Sequence, residues 1–564
     1  MHPLLSDKTG KNMLLLGNEA IVRGALEAGC AVAAAYPGTP SSEIGNNLFF
    51  ISQEDDAPIY FEFSTNEKVA MEVAAAAAAA GLRSLTCMKH VGMNVASDVL
   101  MTLAYVGVKG GMVIITADDP SMHSSQNEQD NRCYVKFANL PMLEPSSPQE
   151  AKDMTIAAFE LSEALELPVI IRTTTRTSHV RGPVELGNLP KDVKREGQFQ
   201  KDPRRWVPVP AVARLRHKAL LEQMEKAKGF SEDSPFNSLS KGKGDLGVIA
   251  SGVSVCYVED ALMELGCAED VSLLKLGFPY PFPVELMGQF LKGVKKVLVV
   301  EELEPFVEDE IKILCRDLGL DIQVFGKASG HFSRMYEFEP LMVKRAIADV
   351  SAIELESPDQ PDLSVLPQLP MRPPVLCKGC PHRETYNAVK AALRELGMEE
   401  RAIYPTDIGC YTLGLLPPIQ MADYLLCMGS SVGTSAGFSV STDHKIVSFI
   451  GDSTFFHSGI SSLANAFHNR HKFCLVILDN STTAMTGHQP NPGIEIRPPG
   501  YDKPRIPIED VVRGLGIKSV HKINPYKKKE ALEVFKDVLA EDELSVVIAE
   551  APCILYYKKF GGKR

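Results

Sequence analysis

The sequence lacks several features that mark other classes of protein. Its longest apolar run, residues 73–80, is far below the roughly 20 residues of a membrane span. Residues 1–10 contain no apolar core of signal-peptide length. A net charge of −12 gives no basic excess for binding nucleic acid phosphates, and 12 cysteines in 564 residues are too sparse for a disulfide framework. We therefore expect a cytoplasmic protein with no membrane span and no nucleic acid partner.

Apolar runs that are typical of buried strands alternate with helix-like segments, which is the pattern of parallel α/β sheets. Strands are predicted near residues 111–117, 167–172, 246–250, 294–301, 445–450, 473–479 and 545–549. Helices are predicted near residues 67–81, 384–395 and 459–469.

Two stretches have the composition of linkers. Residues 187–244 are polar, with one helical insert near residues 212–228, and residues 351–374 are rich in proline. They divide the chain into α/β segments at residues 10–186, 245–350 and 375–560.

Polar side chains follow two neighbouring strands in the last segment. One strand delivers Asp452 and the next delivers Asn480, with Thr482 in the turn beyond it. Ligands of parallel sheets bind beyond the carboxyl ends of the strands, and Mg²⁺ prefers oxygen ligands together with phosphate oxygens. The side chains of Asp452 and Asn480, with the backbone carbonyl of Thr482, are therefore candidate Mg²⁺ ligands. The alternative is that Asp452 only caps a helix.

Residues flanking Asp452 suit a phosphate group. Gly451 lets the backbone approach a ligand closely, and the Ser453 hydroxyl can donate to a phosphate oxygen. The whole pattern resembles the thiamine-diphosphate motif, in which GDG is followed some 25 residues later by NN. Here residues 454–478 separate GDS from DN, so Ser453 replaces a glycine and Asp479 replaces the first asparagine. Neither change removes a candidate metal ligand.

Residues 64–94, STNEKVAMEVAAAAAAAGLRSLTCMKHVGMN, are similar to the pyrimidine-binding domain of 2-oxoacid oxidoreductases. That resemblance implies that Glu67 activates the cofactor by passing a proton to its aminopyrimidine ring. It also implies that Gly92 lies on the turn that approaches the cofactor. Glu72 is a rival for the same role, and a solvated helix face is the alternative for both carboxylates.

Residues 33–44, AAAYPGTPSSEI, resemble the YPITPSS-type sequence that opens 2-oxoacid:ferredoxin oxidoreductases, where the threonine matching Thr39 contacts the substrate. With NEKVA, CKGCPHR and TTAMTGHQP in the same order, the resemblance covers nearly the whole chain. It is nearest to the alpha subunits of the indolepyruvate type. The implied fold has a pyrimidine-binding domain (10–186), a transketolase C-terminal-like domain (245–350) and a diphosphate-binding domain (375–560), all α/β.

This resemblance implies a reaction and partners. The reaction is oxidative decarboxylation of an aryl 2-oxo acid, such as indolepyruvate, with coenzyme A, which gives an aryl-acyl-CoA and carbon dioxide. Ferredoxin or another acceptor takes the electrons, and a smaller beta (gamma-type) subunit completes a hetero-oligomer. The C-terminal ferredoxin-like domain usual in the family is not evident, so a thiamine-dependent decarboxylase without oxidation is a competing interpretation. A regulatory subunit that kept the fold is another.

The family resemblance also suggests roles for cysteines and histidines. Cys377, Cys380, Cys410 and Cys553 are candidate ligands of one [4Fe–4S] cluster, with a zinc site or plain buried thiols as alternatives. His90 and His488 lie near the motifs and are candidates for stabilising a substrate oxyanion. Hydrogen bonding that only supports neighbouring residues is the alternative for both.

Overall fold

The computed structural model describes residues 2–355, 367, 370, 372–496, 498 and 501–561. The chain divides into two compact units, Met1–Pro361 and Asp362–Arg564. No helix within these described ranges combines the length and apolar character needed to cross a membrane.

The first unit begins with a parallel sheet of six strands in the order β3-β2-β4-β5-β7-β6, beside an antiparallel pair, β1 and β8. These strands are β1 (Asn12–Leu16), β2 (Val32–Ala35), β3 (Tyr60–Phe63), β4 (Ser84–Lys89), β5 (Met112–Asp118), β6 (Met142–Leu143), β7 (Val169–Thr174) and β8 (Arg181–Glu185). The helices are α1 (Gly17–Glu27), α2 (Ser42–Ser52), α3 (Glu67–Ala79), α4 (His90–Val106), α5 (Arg132–Ala138), α6 (Pro148–Leu165) and α7 (Thr175–His179). Every residue of β5 is buried, as expected for a central strand covered on both faces.

The alanine-rich helix α3 packs closely against the sheet and α4. Ala70, Ala74 and Ala78 are completely buried on one face of the helix, at the spacing of successive turns. Their small side chains allow the helix to approach its neighbours, so the first residue of α3 is held close to the start of α4.

A second sheet in this unit has the order β13-β12-β10-β11-β9, with only β9 antiparallel to its neighbour. Its strands are β9 (Asn237–Ser240), β10 (Leu246–Ser251), β11 (Ser272–Leu276), β12 (Lys296–Val300) and β13 (Gln323–Phe325). The helices are α8 (Pro203–Trp206), α9 (Pro210–Glu232), α10 (Ser254–Glu264), α11 (Val284–Leu291), α12 (Phe306–Asp317) and α13 (Pro340–Val350).

The predicted linker at residues 187–244 contains more structure than its composition indicates. Helix α9 is 23 residues long, and β9 pairs with β11 as an edge strand. The polar sequence NSLS of β9 lacks an apolar run because an edge strand is solvated along one side. The predicted division of the chain into three α/β segments and two linkers stays a prediction.

Buried ion pairs join the two sheets of the first unit. Arg132, fully buried, contacts Glu301 Oε2 through Nη1 at 2.7 Å and Asp130 Oδ2 through Nη2 at 2.6 Å. It also donates to the Glu302 carbonyl at 2.8 Å. Because a buried charge needs a partner, Arg132 fixes the start of α5 to the end of β12.

The described residues of the second unit form a parallel sheet in the order β14-β15-β16-β18-β17. Its strands are β14 (Ala402–Ile403), β15 (Lys445–Gly451), β16 (Cys474–Asp479), β17 (Ser519–Ile523) and β18 (Ser545–Glu550). The helices are α14 (Pro381–Glu395), α15 (Ser430–Ser441), α16 (Asp452–Thr454), α17 (Ile460–His468), α18 (Ile508–Gly514), α19 (Lys528–Ala540) and α20 (Ile554–Tyr556). A π-helical turn, Phe455–Gly459, joins α16 to α17. Since β15 and β16 are adjacent, Asp452 and Asn480 emerge at the same edge of the sheet.

Candidate active site

Asp452 is the first residue after β15 and is buried at the carboxyl edge of the sheet. Its Oδ2 accepts hydrogen bonds from the Thr482 amide at 3.1 Å and from Asn491 Nδ2 at 3.0 Å. Burial, and then the charge of nearby Asp479, raise the pKa of Asp452 to about 8. A carboxylate in this environment is stabilised by a cation, so the donor set suits a divalent metal ion.

Asn480 lies beside Asp452 and is oriented by hydrogen bonds on both sides of its amide. Its Oδ1 accepts from the Thr482 amide at 3.2 Å, and its Nδ2 lies 3.0 Å from Nε2 of His382. Burial lowers the pKa of His382 to about 4, so its ring is neutral. Because the Asn480 Nδ2 donates, His382 accepts through Nε2 and carries its proton on Nδ1. This contact directs the Asn480 oxygen towards Asp452.

The turn after Asn480 shapes the rest of this edge. Ser481 has a φ of 60°, which reverses the chain and brings the Thr482 amide to both Asp452 and Asn480. The Thr483 hydroxyl donates to Ser453 Oγ at 2.8 Å. A Cβ added at Gly451 would lie 2.6 Å from the ring of Tyr411, so no larger residue fits there without movement of that ring.

The four candidate cluster cysteines line one cavity of about 100 Å³ in this unit. The others lining it are His382, Asn480, His488, Val375, Leu376, Pro381, Leu413, Ala484, Ile554 and Leu555. The Cys553 amide donates to the Asn480 carbonyl at 2.9 Å, so the cavity adjoins the Asp452 edge. Burial raises the pKa of Cys380, and that of Cys410 to about 12. Among the described residues, no three His, Cys, Asp or Glu side chains are arranged so that they could hold a metal ion.

His488 lines the same cavity and stands on a strained turn with a φ of 68°. Its Nδ1 is buried and has no hydrogen-bond partner among the described residues. Its ring centroid lies 5.6 Å from that of Tyr556. Burial, followed by the charge of Lys559, lowers the pKa of His488, which favours a neutral imidazole facing the cavity.

In the first unit, Glu67 begins α3 and is 6% exposed. A Cβ added at Gly92 would lie 2.8 Å from both Cγ and Oε1 of Glu67. The carboxylate therefore rests directly against Gly92 at the start of α4. Glu72 is different, because its side chain is 45% exposed and forms an ion pair with Lys68 on the solvent side of α3.

The loop after β5, residues 119–131, contacts both remaining candidates of this unit. His90 is completely buried, with Nε2 3.1 Å from the Asn127 carbonyl, and burial lowers its pKa. The Thr39 carbonyl accepts from the Ser124 hydroxyl at 3.2 Å, while Thr39 Oγ1 lies 3.3 Å from Ser42 Oγ. His90 thus supports this loop, and the roles of His90 and Thr39 towards a substrate stay predictions.

Sequence reasoning did not predict the supporting residues around Asp452 and Asn480. His382 lies two residues after the second cysteine of CKGCPHR, and a histidine so close to a candidate ligand pair was an available signal. Asn491 comes directly after the TGHQP motif, but nothing in its sequence context indicates a contact with Asp452.

Two family models match the chain. Pyruvate flavodoxin/ferredoxin oxidoreductase, thiamine diP-bdg, matches residues 23–225, and thiamine pyrophosphate enzyme, C-terminal TPP binding domain, matches residues 407–549. They cover the segments that contain Glu67 and Asp452, respectively. The predicted thiamine-diphosphate-binding fold is therefore confirmed.

Curated relatives match over nearly the whole length. "Indolepyruvate oxidoreductase subunit IorA" of Methanothermobacter thermautotrophicus is 52% identical over 558 residues, which is 98% of this chain and 89% of that protein. The protein of the same name from Thermococcus kodakarensis is 49% identical, over 98% of this chain and 87% of that protein. A solved 2-oxoglutarate:ferredoxin oxidoreductase from Magnetococcus marinus aligns with 60% of this chain and 65% of its own, at 15% identity and a TM-score of 0.47.

The resemblance inferred from YPGTPSS, NEKVA and the GDS and DN pair is thus confirmed at the level of the family and of the enzyme class. The chain belongs to the indolepyruvate oxidoreductase subunit IorA family, whose members are thiamine-diphosphate-dependent 2-oxoacid oxidoreductases.

Proposed function

We propose that this chain catalyses the oxidative decarboxylation of aryl 2-oxo acids of the indolepyruvate type, with coenzyme A, to aryl-acyl-CoA and carbon dioxide. One observation carries the oxidative part of the proposal. A buried carboxylate and amide pair suited to a diphosphate-bound metal adjoins a cavity lined by four cysteines within the same unit. The name of the relatives supports the indolepyruvate-type substrate.

Asp452, Asn480 and the backbone carbonyl of Thr482 would hold Mg²⁺, with Gly451 and Ser453 against the diphosphate. The buried charge of Asp452, whose pKa is raised by its surroundings, supports this assignment because a divalent cation would offset the cost of burying it. His382 keeps the Asn480 oxygen turned towards that position. When bound, thiamine diphosphate supplies an electron sink for the carbon that loses carbon dioxide.

Glu67 is proposed to exchange a proton with the cofactor's aminopyrimidine, and Gly92 to leave room for the ring. The burial of Glu67 against Gly92, and the exposed ion pair of Glu72, both support Glu67 over its rival. A carboxylate held in a buried position transfers protons without first shedding water.

Three further side chains are proposed to act on the substrate. Thr39 would contact its 2-oxo acid end, and His488, neutral within the cavity wall, would donate a hydrogen bond to a developing oxyanion. His90 is proposed for the same task, although its Nε2 already contacts Asn127.

Cys377, Cys380, Cys410 and Cys553 are proposed to hold one [4Fe–4S] cluster. Four thiolates are what such a cluster needs, and all four line the same cavity. Their side chains would have to turn towards a common centre, since their present arrangement is not that of a metal site. Binding a cluster would also deprotonate thiols whose pKa is now raised by burial.

A smaller beta (gamma-type) subunit is proposed as the partner, with ferredoxin or another acceptor for the electrons. The test is anaerobic purification of the assembled enzyme, followed by measurement of iron, bound thiamine diphosphate and acyl-CoA across a panel of 2-oxo acids. We expect dye reduction that requires coenzyme A and is fastest with aryl substrates. Aldehyde release without dye reduction would instead identify a non-oxidative decarboxylase.

Two variants sharpen this test. Cys380→Ser should lower the iron content, whereas Cys427→Ser, at an exposed cysteine of the same unit, should leave it unchanged. Zinc in place of iron, or no metal and full activity, would overturn the cluster assignment. Unchanged thiamine-diphosphate binding in Asp452→Ala would overturn the cofactor site and favour a regulatory subunit.

A further inference from the structure

Lys89 ends β4 and directly precedes α4, at the edge of the sheet where Glu67 and Gly92 meet. Its stem packs on the turn after β2, because a Cβ added at Gly38 would lie 3.0 Å from Lys89 Cγ. Its Nζ donates to the Ser124 carbonyl at 2.9 Å.

The ammonium group of Lys89 has spare capacity to bind an anion. Among the described residues, no ion pair between Lys89 and a carboxylate is seen, and the Nζ contact that is seen is with the Ser124 carbonyl. The nearby Asp119 carboxylate is occupied by other donors, which are the Ser124 amide at 2.9 Å, the Ser125 hydroxyl at 2.6 Å and the Thr175 hydroxyl at 2.7 Å. An ammonium carries three donors, and one hydrogen bond of Lys89 is seen in the part of the chain that the structure describes.

The surroundings make a second anionic partner favourable. Burial lowers the pKa of Lys89 to about 8, an effect that Asp119 and Glu67 offset only in part. A partly desolvated cation without an ion pair is costly, and an arriving anion reduces that cost. The 17-residue helix α4 begins at the next residue, and its positive end adds to the same field.

Strand order places this cation in a crevice suited to ligands. Strands β2 and β4 are neighbours, and Gly38 and Lys89 lie at their carboxyl ends. Ligands of parallel α/β sheets bind there. The same loop residue, Ser124, contacts Lys89 through its carbonyl and Thr39 through its hydroxyl, so the cation and the turn are fixed relative to each other.

We propose that the Lys89 ammonium binds the carboxylate of the 2-oxo acid substrate. This inference rests on the proposed function, and it follows from the substrate class, since every 2-oxo acid brings one carboxylate into the site. Lys89 would thereby set the orientation of the substrate next to Glu67 and the preference for acids over neutral ketones.

The test uses the assembled enzyme with thiamine diphosphate, Mg²⁺ and indolepyruvate. Loss of one charge-assisted hydrogen bond should raise KM for indolepyruvate about 10- to 100-fold in Lys89→Gln. We expect a smaller effect on kcat, and unchanged KM for coenzyme A and unchanged affinity for thiamine diphosphate. Lys89→Arg should recover most of the loss, because it keeps the charge. The matched control is Lys109→Gln, three residues beyond the far end of α4, where the lysine is exposed and paired with Glu166.

The outcomes separate this inference from the proposed function. If the native enzyme oxidises indolepyruvate and Lys89→Gln has the same KM, the Lys89 assignment is wrong while the proposed function stands. If the KM for coenzyme A rises instead, the anion bound by Lys89 is a phosphate of that substrate, and the carboxylate assignment is again overturned. If the native enzyme neither binds nor oxidises any 2-oxo acid, both proposals fall.

Discussion

Replacing Gly92 with alanine tests the contact between Gly92 and Glu67, the residue proposed to exchange a proton with the cofactor. The new methyl group would lie 2.8 Å from Cγ and Oε1 of Glu67 and 3.0 Å from Cβ of Met88. Ordinary contact begins at 3.4 Å, so the carboxylate must move by about 0.6 Å. We expect this displacement to slow proton exchange with the cofactor without removing the carboxylate itself.

The size of each effect follows from the same geometry. Misplacing a reacting group by about 1 Å costs roughly 100-fold in rate, so Gly92→Ala should lower kcat by about 10- to 100-fold. Its effect on folding should be small. Overpacking costs about 1–3 kcal/mol, and alanine in place of a helical glycine returns up to about 1 kcal/mol.

The assay is the rate at which the C2 hydrogen of bound thiamine diphosphate exchanges with deuterium, measured beside kcat and the thermal midpoint. Gly229→Ala is the matched control, since Gly229 lies in α9 with no atom within 4 Å of an added Cβ. Glu67→Gln removes the proton without steric strain and should slow exchange at least as much. Native exchange rates in both Gly92→Ala and Glu67→Gln would refute the assignment of Glu67.

Other variants test other parts of the molecule. Asp452→Asn should weaken Mg²⁺-dependent thiamine-diphosphate binding by more than tenfold in calorimetry, because it removes the charged member of the proposed ligand set; equal affinity would contradict the metal assignment. His382→Leu should weaken the same binding about 10- to 100-fold, as losses of groups that orient a metal ligand commonly do, and His382→Gln should recover part of it. Arg132→Met should lower the free energy of unfolding by about 3–5 kcal/mol, because it leaves Asp130 and Glu301 buried without their partner. Urea denaturation measures this loss, and the exposed Arg334→Met should stay within about 0.5 kcal/mol of the native protein. Finally, KM for the 2-oxo acid should increase when the pH is raised beyond about 8, because Lys89 then loses its proton. Burial lowers the pKa of Lys89 to about 8, although the charges of Asp119 and Glu67 oppose this shift. The neighbouring His90 also has a pKa lowered by burial. A flat profile would exclude Lys89 as the titrating group.

Most strands of this fold are predictable because burial on both faces leaves an uninterrupted apolar run. The prediction near residues 445–450 corresponds to β15 (Lys445–Gly451), and that near 473–479 to β16 (Cys474–Asp479). Strand β9 has no such run, since it lies at a sheet edge and alternates between buried and exposed positions. Its pairing with β11 depends on tertiary contacts that the polar sequence does not report.

The residues of the candidate site also differ in how far the sequence predicts them. Asp452 and Asn480 were predictable because two strand ends fix their positions, and the spacing of residues between adjacent parallel strands carries that information. Glu67 and Glu72 both lie on α3, and the burial of Glu67 against Gly92, which supports Glu67 over its rival, depends on helix packing that no local pattern reports. The hydrogen bond that the Asn480 amide donates to His382 joins residues 98 apart, and no local pattern encodes it.

The antiparallel pairing of β9 with β11 also decides where the chain can be cut. A fragment that starts at residue 245 would lose β9, the strand that pairs with β11, and would expose unpaired amide and carbonyl groups along the edge of β11. Exposed edge strands pair with strands of other molecules, so we expect such a fragment to aggregate. A fragment that begins ahead of Pro210 keeps α9 and β9 together with the sheet they complete, and is the sounder starting point for expressing this part of the protein.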